Sequence, residues 1–295
     1  MLINRIKGGL FGVAVGDALG GTTEFMTASS ISQTYGVLTE IIGGGVWGLE
    51  PGEVTDDTMM TIAVAEGILK RPDDPMKAIG EQFIAWYETK PKDVGNIIRH
   101  VLEQVENNWF EAAFLADQDL GRSGGNGSLM RCLPVALAYD DPVVVSRITR
   151  MQSCMTHYDE RCDAACVIYN RIAYRLIHNE SLHEAIACEI AGTEYERDQD
   201  GLLKPPLCEP TGYVVDTMHW VIFLLLSSSS FEEVVQGAAN RGGDADTIGA
   251  IAGGLAGIYY GYDAIPERYR KAIMLKQQLH KLAEQLMMLR LIGCK

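Results

Sequence analysis

Two short stretches of the chain bring carboxylates and hydroxyls together just ahead of apolar runs. Thr55-Asp56-Asp57-Thr58 precedes MMTIAVAEGILK, and Asp244-Ala245-Asp246-Thr247 precedes IGAIAGGLAGIYYG. Threonine and aspartate are ordinary N-cap residues, and acids in a first turn suit the helix dipole. Capping accounts for one acid in each stretch, and for two at most. It does not account for the same recipe recurring so far along the chain. With Glu24, in GDALGGTTEF, the two stretches supply an all-oxygen donor set: Glu24, Thr55, Asp56, Asp57, Asp244, Asp246 and Thr247. Oxygen cages of this kind suit hard divalent cations such as Mg²⁺ or Mn²⁺, with no soft ligand required. The chemistry implied is metal-assisted hydrolysis.

Other candidates carry less. Arg122-Ser-Gly-Gly-Asn-Gly-Ser128 can present backbone N–H groups to an anion. Taken without context, it reads first as an ordinary glycine-rich turn and second as an anion site. His157, in CMTHYDE, has the local setting of a hydrogen-bonded structural histidine. No histidine and cysteine spacing suggests zinc. Residues 43–48, GGGVWG, fit G-x-G-x-x-G literally. No strand–helix–strand unit surrounds them, and Pro51 stands where a helix would begin, which excludes a dinucleotide fold. A phosphohydrolase could use the same oxygen cage, but no lysine or arginine cluster accompanies either acidic motif.

The elements that must position these groups are helical. Apolar residues recur at helical spacing over residues 55–70, 75–88, 94–106, 159–179, 181–196, 213–230, 231–242 and 269–289. Residues 32–41, SQTYGVLTEI, are the best candidate for a short strand. Glycines recur every fourth residue at 8, 12, 16 and 20, and again at 249, 253, 257 and 261. On a helix this spacing draws a stripe without side chains. Each interior glycine costs about 1 kcal/mol against alanine, so close backbone approach must offset it, as in small-xxx-small packing. Two central helices packed tightly, on each other, are expected. The loops are too short to be linkers, so the expectation is one all-α domain over residues 1–295.

The formal charge of −14 argues against a nucleic-acid groove and favours a cation or a basic partner. With 47% hydrophobic and 22% charged residues the composition is globular. Seven scattered cysteines, Cys294 among them, form no CxxC pair and read as reduced thiols in a cytoplasm. The opening segment carries Arg5 and Lys7 before an apolar stretch, but glycines and Asp17 punctuate it, and it reads as a core helix. WVIFLLL is too short to span a bilayer, so no membrane insertion is expected.

Taken in order, GDALG with Glu24 downstream, EVTDDT, GGNGSLMR, THYDERCDAAC, GYVVDT and NRGGDADTIGAIAGGLAGIYYG resemble the ADP-ribosylglycohydrolase family. The likeness runs from about Gly8 to Gly261 and is nearest to the branch that reactivates dinitrogenase reductase. The resemblance implies an all-α fold around two Mn²⁺ or Mg²⁺ ions. It implies that Thr55, Asp56 and Asp57 hold one ion, that Glu24, Asp244 and Thr247 hold the other, and that Asp246 bridges. It implies Asp93 as acid/base, with Asp56 and Asp246 also in the catalytic centre. Asn96 falls with Asp93 at the ADP-ribose end, Gly127 and Ser128 near the ribose or phosphates, and His157 and Tyr213 near the adenosine or ribose. The implied substrate is ADP-ribose on an arginine of a protein, dinitrogenase reductase for this branch, with a nitrogen-regulatory signalling protein as a further implied partner. A silent ADP-ribose binder, or a hydrolase of another ADP-ribose linkage, is the alternative.

Overall fold

The computed structural model describes residues 1–106 and 108–293; Cys294 lies outside the described residues. The chain folds into helices α1 (Leu2–Gly20), α2 (Ala28–Tyr35), α3 (Asp56–Lys70), α4 (Met76–Glu88), α5 (Asn96–Gln104), α6 (Trp109–Leu120), α7 (Leu133–Ala138) and α8 (Pro142–Cys154). It continues through α9 (Glu160–Ile177), α10 (Leu182–Ile190), α11 (Gln199–Leu202), α12 (Val214–Ser227), α13 (Phe231–Arg241), α14 (Ala245–Tyr260), α15 (Glu267–Ala272) and α16 (Lys276–Gly293). Among the described residues there is no sheet, only isolated bridges. The all-α expectation holds.

At the centre α1 lies antiparallel to α14, and the two are buried almost throughout. The glycine stripes interlock. A β-carbon on Gly8 would lie 1.9 Å from the Gly257 carbonyl oxygen, one on Gly12 2.0 Å from that of Gly253, and one on Gly16 1.9 Å from that of Gly249. Only hydrogen fits, so the backbones touch, as the spacing predicts. Two details differ. Gly20 meets Ala245, which supplies the small residue at that end of α14. Gly261 lies outside the interface: at φ 85 it ends α14 against the Asn4 side chain. The pairing sets the end of α1 beside the start of α14, which is what brings Glu24 and Asp244 to one place.

The strand expected over residues 32–41 is instead the second half of α2, followed by irregular chain. Thr27 caps this helix by accepting from the Ser30 amide at 3.1 Å, and the local cap outweighs the weak alternation. The helix expected over residues 269–289 is broken at residues 273–275, where the Met274 amide donates to the Gly52 carbonyl and ties the chain to another loop. No period marks α8, with valines in its first turn; Pro142 at its start and the Asp141 side-chain cap establish it.

Candidate metal centre and substrate cleft

The acids converge because three helix ends meet. Asp17, on the last turns of α1, is fully buried and reaches the start of α3. Its carboxylate accepts the Thr55 amide at 2.9 Å and the Thr58 amide at 3.0 Å, and the Thr58 hydroxyl at 2.5 Å. It therefore caps a helix to which it does not belong. Thr55 occupies the N-cap position but makes no side-chain cap bond. The capping explanation for Thr55 and the two following acids thus gives way: with Asp17 serving the orphan amides, Asp56 and Asp57 are released for other work.

Asp57 Oδ2 lies 3.1 Å from the Thr55 hydroxyl and accepts the Thr247 hydroxyl at 3.3 Å, which joins α3 to α14. Its Oδ1 is buried and has no hydrogen-bond partner. Asp56 Oδ2 accepts the Gly95 amide at 3.1 Å, from the segment that carries Asp93 and Asn96. Glu24 follows α1 and is held near Asp244 by the Phe25 amide, which donates to the Gly243 carbonyl at 2.7 Å, and by the bridge from Thr27 to Gly242. The Trp47 indole donates to Glu24 Oε2. The glycine loop at 43–48 thus orients a carboxylate; its four glycines all have positive φ. Asn126 donates to Asp244 Oδ2 at 2.5 Å and to the Thr217 hydroxyl at 2.9 Å. One oxygen from each of Glu24, Asp244 and Asp246 lies within 4.8 Å of the others.

Burial and mutual repulsion push these carboxyls up from their ordinary range. Glu24 rises to about 7, chiefly by burial and then by Asp244 and Asp56. Asp17 and Asp244 rise to about 6, again chiefly by burial. Asp57 and Asp246 are raised well above the usual range by burial, then by neighbouring carboxylates. Arg131 is the one cation whose charge registers among the strongest influences on Asp56. A buried all-oxygen set with so little positive charge beside it, and with an orphaned Asp57 oxygen, fits a divalent cation on chemical grounds. Glu24, Asp244 and Asp246 form a cluster able to hold a metal ion.

The cluster opens onto a cleft of about 1130 Å³. Of the residues expected in the site, Glu24, Asp56, Asp93, Asn96, Gly127, His157, Tyr213, Asp244 and Thr247 line it. Thr55, Asp57 and Asp246 are buried and are not among the residues that line it. Ser128 departs from expectation: its hydroxyl is fully buried and pairs with the Ser153 hydroxyl at 2.9 Å, so it supports the loop and is not on the cleft wall. Asp93 is half-buried at the edge. Burial, then the charges of Asp56 and Glu24, raise it to about 9. Tyr213 starts α12 and accepts from Arg161 at 2.7 Å. Phe25, exposed at the mouth, has φ 60, a strained conformation of the kind that gathers at functional sites.

Sequence reasoning missed Asp17, Trp47, Asn126 and Arg131. Asp17 had a signal: it is the one acid in an otherwise apolar, glycine-striped helix. The others sit in motifs already singled out, but their partners lie far away in sequence.

The chain belongs to the ADP-ribosylglycohydrolase family, whose model matches residues 1–292. It is 36% identical to the ADP-ribosyl-[dinitrogen reductase] glycohydrolase of Rhodospirillum rubrum, over 92% of this chain and 91% of that protein. It is 27% identical to the ADP-ribosylarginine hydrolase Tri1 of Serratia proteamaculans (strain 568), over 96% of this chain and 79% of that protein. A solved structure described as an ADP-ribosylglycohydrolase-related protein complex matches with a TM-score of 0.83 and 30% identity, covering 98% of both chains. The protein is accordingly a hydrolase of ADP-ribose glycosidic linkages.

Proposed function

We propose that this protein is a metal-dependent hydrolase that releases ADP-ribose from mono-ADP-ribosylated arginine on a target protein. The name of the Rhodospirillum relative makes ADP-ribosylated dinitrogenase reductase the target proposed here, with release restoring its activity. The name of the Serratia relative supports arginine as the linkage. The single observation that carries the reading is the Thr247 hydroxyl bond to Asp57, which joins the two acid–hydroxyl motifs beside the Glu24, Asp244 and Asp246 cluster at the large cleft.

In this reading Thr55, Asp56 and Asp57 would hold one Mn²⁺ or Mg²⁺, Glu24, Asp244 and Thr247 would hold the other, and Asp246 would contribute to both. Bound divalent ions supply positive charge against ribose oxygens and lower the pKa of a water. The chain's own groups do the rest. Asp93 lines the cleft, and in this reading it exchanges a proton with the leaving guanidine nitrogen or the attacking water, work commonly worth about 10²–10⁴-fold. The Gly124, Gly125 and Gly127 amides have no hydrogen-bond partner among the described residues and line the cleft, where they suit phosphate oxygens. Asn96, His157 and Tyr213 contact the remainder of the ADP-ribose. The six described cysteines are all free thiols, in keeping with a cytoplasmic setting. No helix among the described residues is long and apolar enough to cross a membrane.

The test is to incubate metal-stripped protein with an ADP-ribosylated arginine peptide, with and without Mn²⁺ or Mg²⁺, and to follow free ADP-ribose by chromatography. Metal-dependent release that Asp246→Ala abolishes supports the assignment. No release with metal demonstrably bound sinks the arginine linkage, and ADP-ribose binding then separates a silent reader from a hydrolase of another linkage.

A further inference from the structure

Arg131 is fully buried and has no carboxylate within ion-pairing distance among the described residues. Its guanidinium is spent on neutral groups. Nε donates to Gln152 Oε1 at 3.1 Å, and Nη2 donates to the Gln152 carbonyl at 3.0 Å and to the Thr156 hydroxyl at 2.7 Å. The Cζ atom stacks 4.5 Å from the centre of the Phe83 ring. The Thr156 hydroxyl in turn lies 2.8 Å from His157 Nδ1. Thr156 is itself fully buried.

These bonds decide where the histidine proton sits. An arginine can only donate, so the Thr156 oxygen is an acceptor toward Arg131. Its own hydrogen must then go to an acceptor, and His157 Nδ1 is the one within reach among the described residues. If Nδ1 carried the proton, the Thr156 hydrogen would be buried without a partner, which costs its desolvation unrepaid. If both nitrogens were protonated, a second cation would be buried beside Arg131. Burial and the Arg131 charge accordingly push His157 down to about 3. The remaining form is neutral imidazole with its proton on Nε2.

That nitrogen faces the glycine loop of the cleft. A β-carbon on Gly125 would lie 3.4 Å from Nε2, and one on Gly127 3.3 Å from Cε1. His157 lines the cleft, and Nε2 has no hydrogen-bond partner among the described residues.

We propose that Arg131 and Thr156 are positioning residues that fix His157 as a neutral Nε2–H donor aimed into the cleft, to bind a hydroxyl or phosphate oxygen of the ligand. His157 is then a fixed donor and takes no part in proton transfer. The relay needs no assumption about catalysis; only the identity of the ligand rests on the ADP-ribose reading above.

The experiment is long-range ¹H–¹⁵N correlation of the histidine rings in the intact protein, with ADP-ribose affinity measured by calorimetry on the same samples. Wild type should show Nε2–H, unchanged between pH 8 and pH 5. Thr156→Val should lose the single tautomer and bind ADP-ribose about 3–10-fold more weakly, the usual effect of one hydrogen bond. Thr156→Ser, which keeps the hydroxyl, should restore both. A wild-type ring protonated at Nδ1, or charged at pH 7, overturns the proposal whatever the hydrolysis assay reports. So does a Thr156→Val variant that keeps the Nε2–H form and full affinity. If wild type shows Nε2–H but does not bind ADP-ribose, the functional reading of the cleft fails and the relay stands.

Discussion

The carboxylate of Asp17, on α1, accepts the backbone N–H of Thr58, on α3, at 3.0 Å. A side chain from one helix thereby completes the first turn of another, and the two acids of that turn are left free to face the cluster. The fold and the site are coupled through this contact, so its loss should be felt in both.

Asp17→Asn keeps one acceptor oxygen but loses the charge and half of the cap. Loss of a cap costs about 0.5–2 kcal/mol, and outer-shell partners of metal ligands commonly contribute 10–100-fold to metal affinity or activity. Urea unfolding should show a loss in that range, and Mn²⁺ titration at least about a tenfold weaker midpoint. A variant with both values unchanged would show that Asp17 does not support the site.

Gly12→Ala adds one methyl group where the structure leaves 2.0 Å to a backbone oxygen of α14. Overpacking costs about 1–3 kcal/mol and occasionally more, and neither backbone can yield as a side chain would, so the upper end is expected. Gly9→Ala, on the same helix, meets side chains and no backbone, Ile258 at 3.0 Å and Leu133 at 3.4 Å, and should cost clearly less. Equal melting temperatures for the two variants would refute backbone contact as the reason for the stripe.

Metal addition should stabilise the stripped protein, by about 2.7 kcal/mol at a hundredfold excess over Kd. Asp57→Asn replaces a carboxyl whose ionisation is opposed by burial and then by the neighbouring carboxylates. That variant should be more stable than wild type without metal, yet gain little when Mn²⁺ is added. Thermal shifts for the two proteins, with and without metal, test this reversal; parallel responses would argue against Asp57 as a ligand.

His157 supplies a pH dependence with a definite sign. Its folded pKa is lowered from 6.5 to about 3 by burial and Arg131. Above pH 6.5 neither state binds the proton. Below it the unfolded chain does and the folded one does not, so stability falls as pH drops from 6.5 toward 3, by at most about 1.4 kcal/mol per unit. His157→Gln removes this slope. Because other groups titrate in the same window, the measured quantity is the difference between wild type and variant across urea series from pH 7 to 4. A difference that does not vary with pH would refute the neutral buried ring.

Trp47→Phe keeps the ring and removes the indole donor to Glu24. Metal affinity should fall about tenfold with little change in stability, since the side chain is only half-buried on a loop. An unchanged Mn²⁺ midpoint would make the indole contact incidental.

What the sequence by itself determined was whatever repeats at a short, regular interval. The glycine spacing defined the bare stripes of α1 and α14, because four residues make slightly more than one helical turn. The doubled acid–hydroxyl motif defined an oxygen donor set, because residue type fixes ligand chemistry. Irregular local signals were less dependable: residues 32–35 resemble a strand until the Thr27 cap is counted. Only the tertiary structure decided which groups are partners. Asp17 reaches Thr58, Trp47 reaches Glu24, Asn126 reaches Asp244, and Thr247 reaches Asp57. No local period encodes such pairs, since they arise when separate helices pack and each buried polar group takes whatever partner the packing brings within 3 Å or so. The glycine contact between α1 and α14 sets that packing, and the site follows from it.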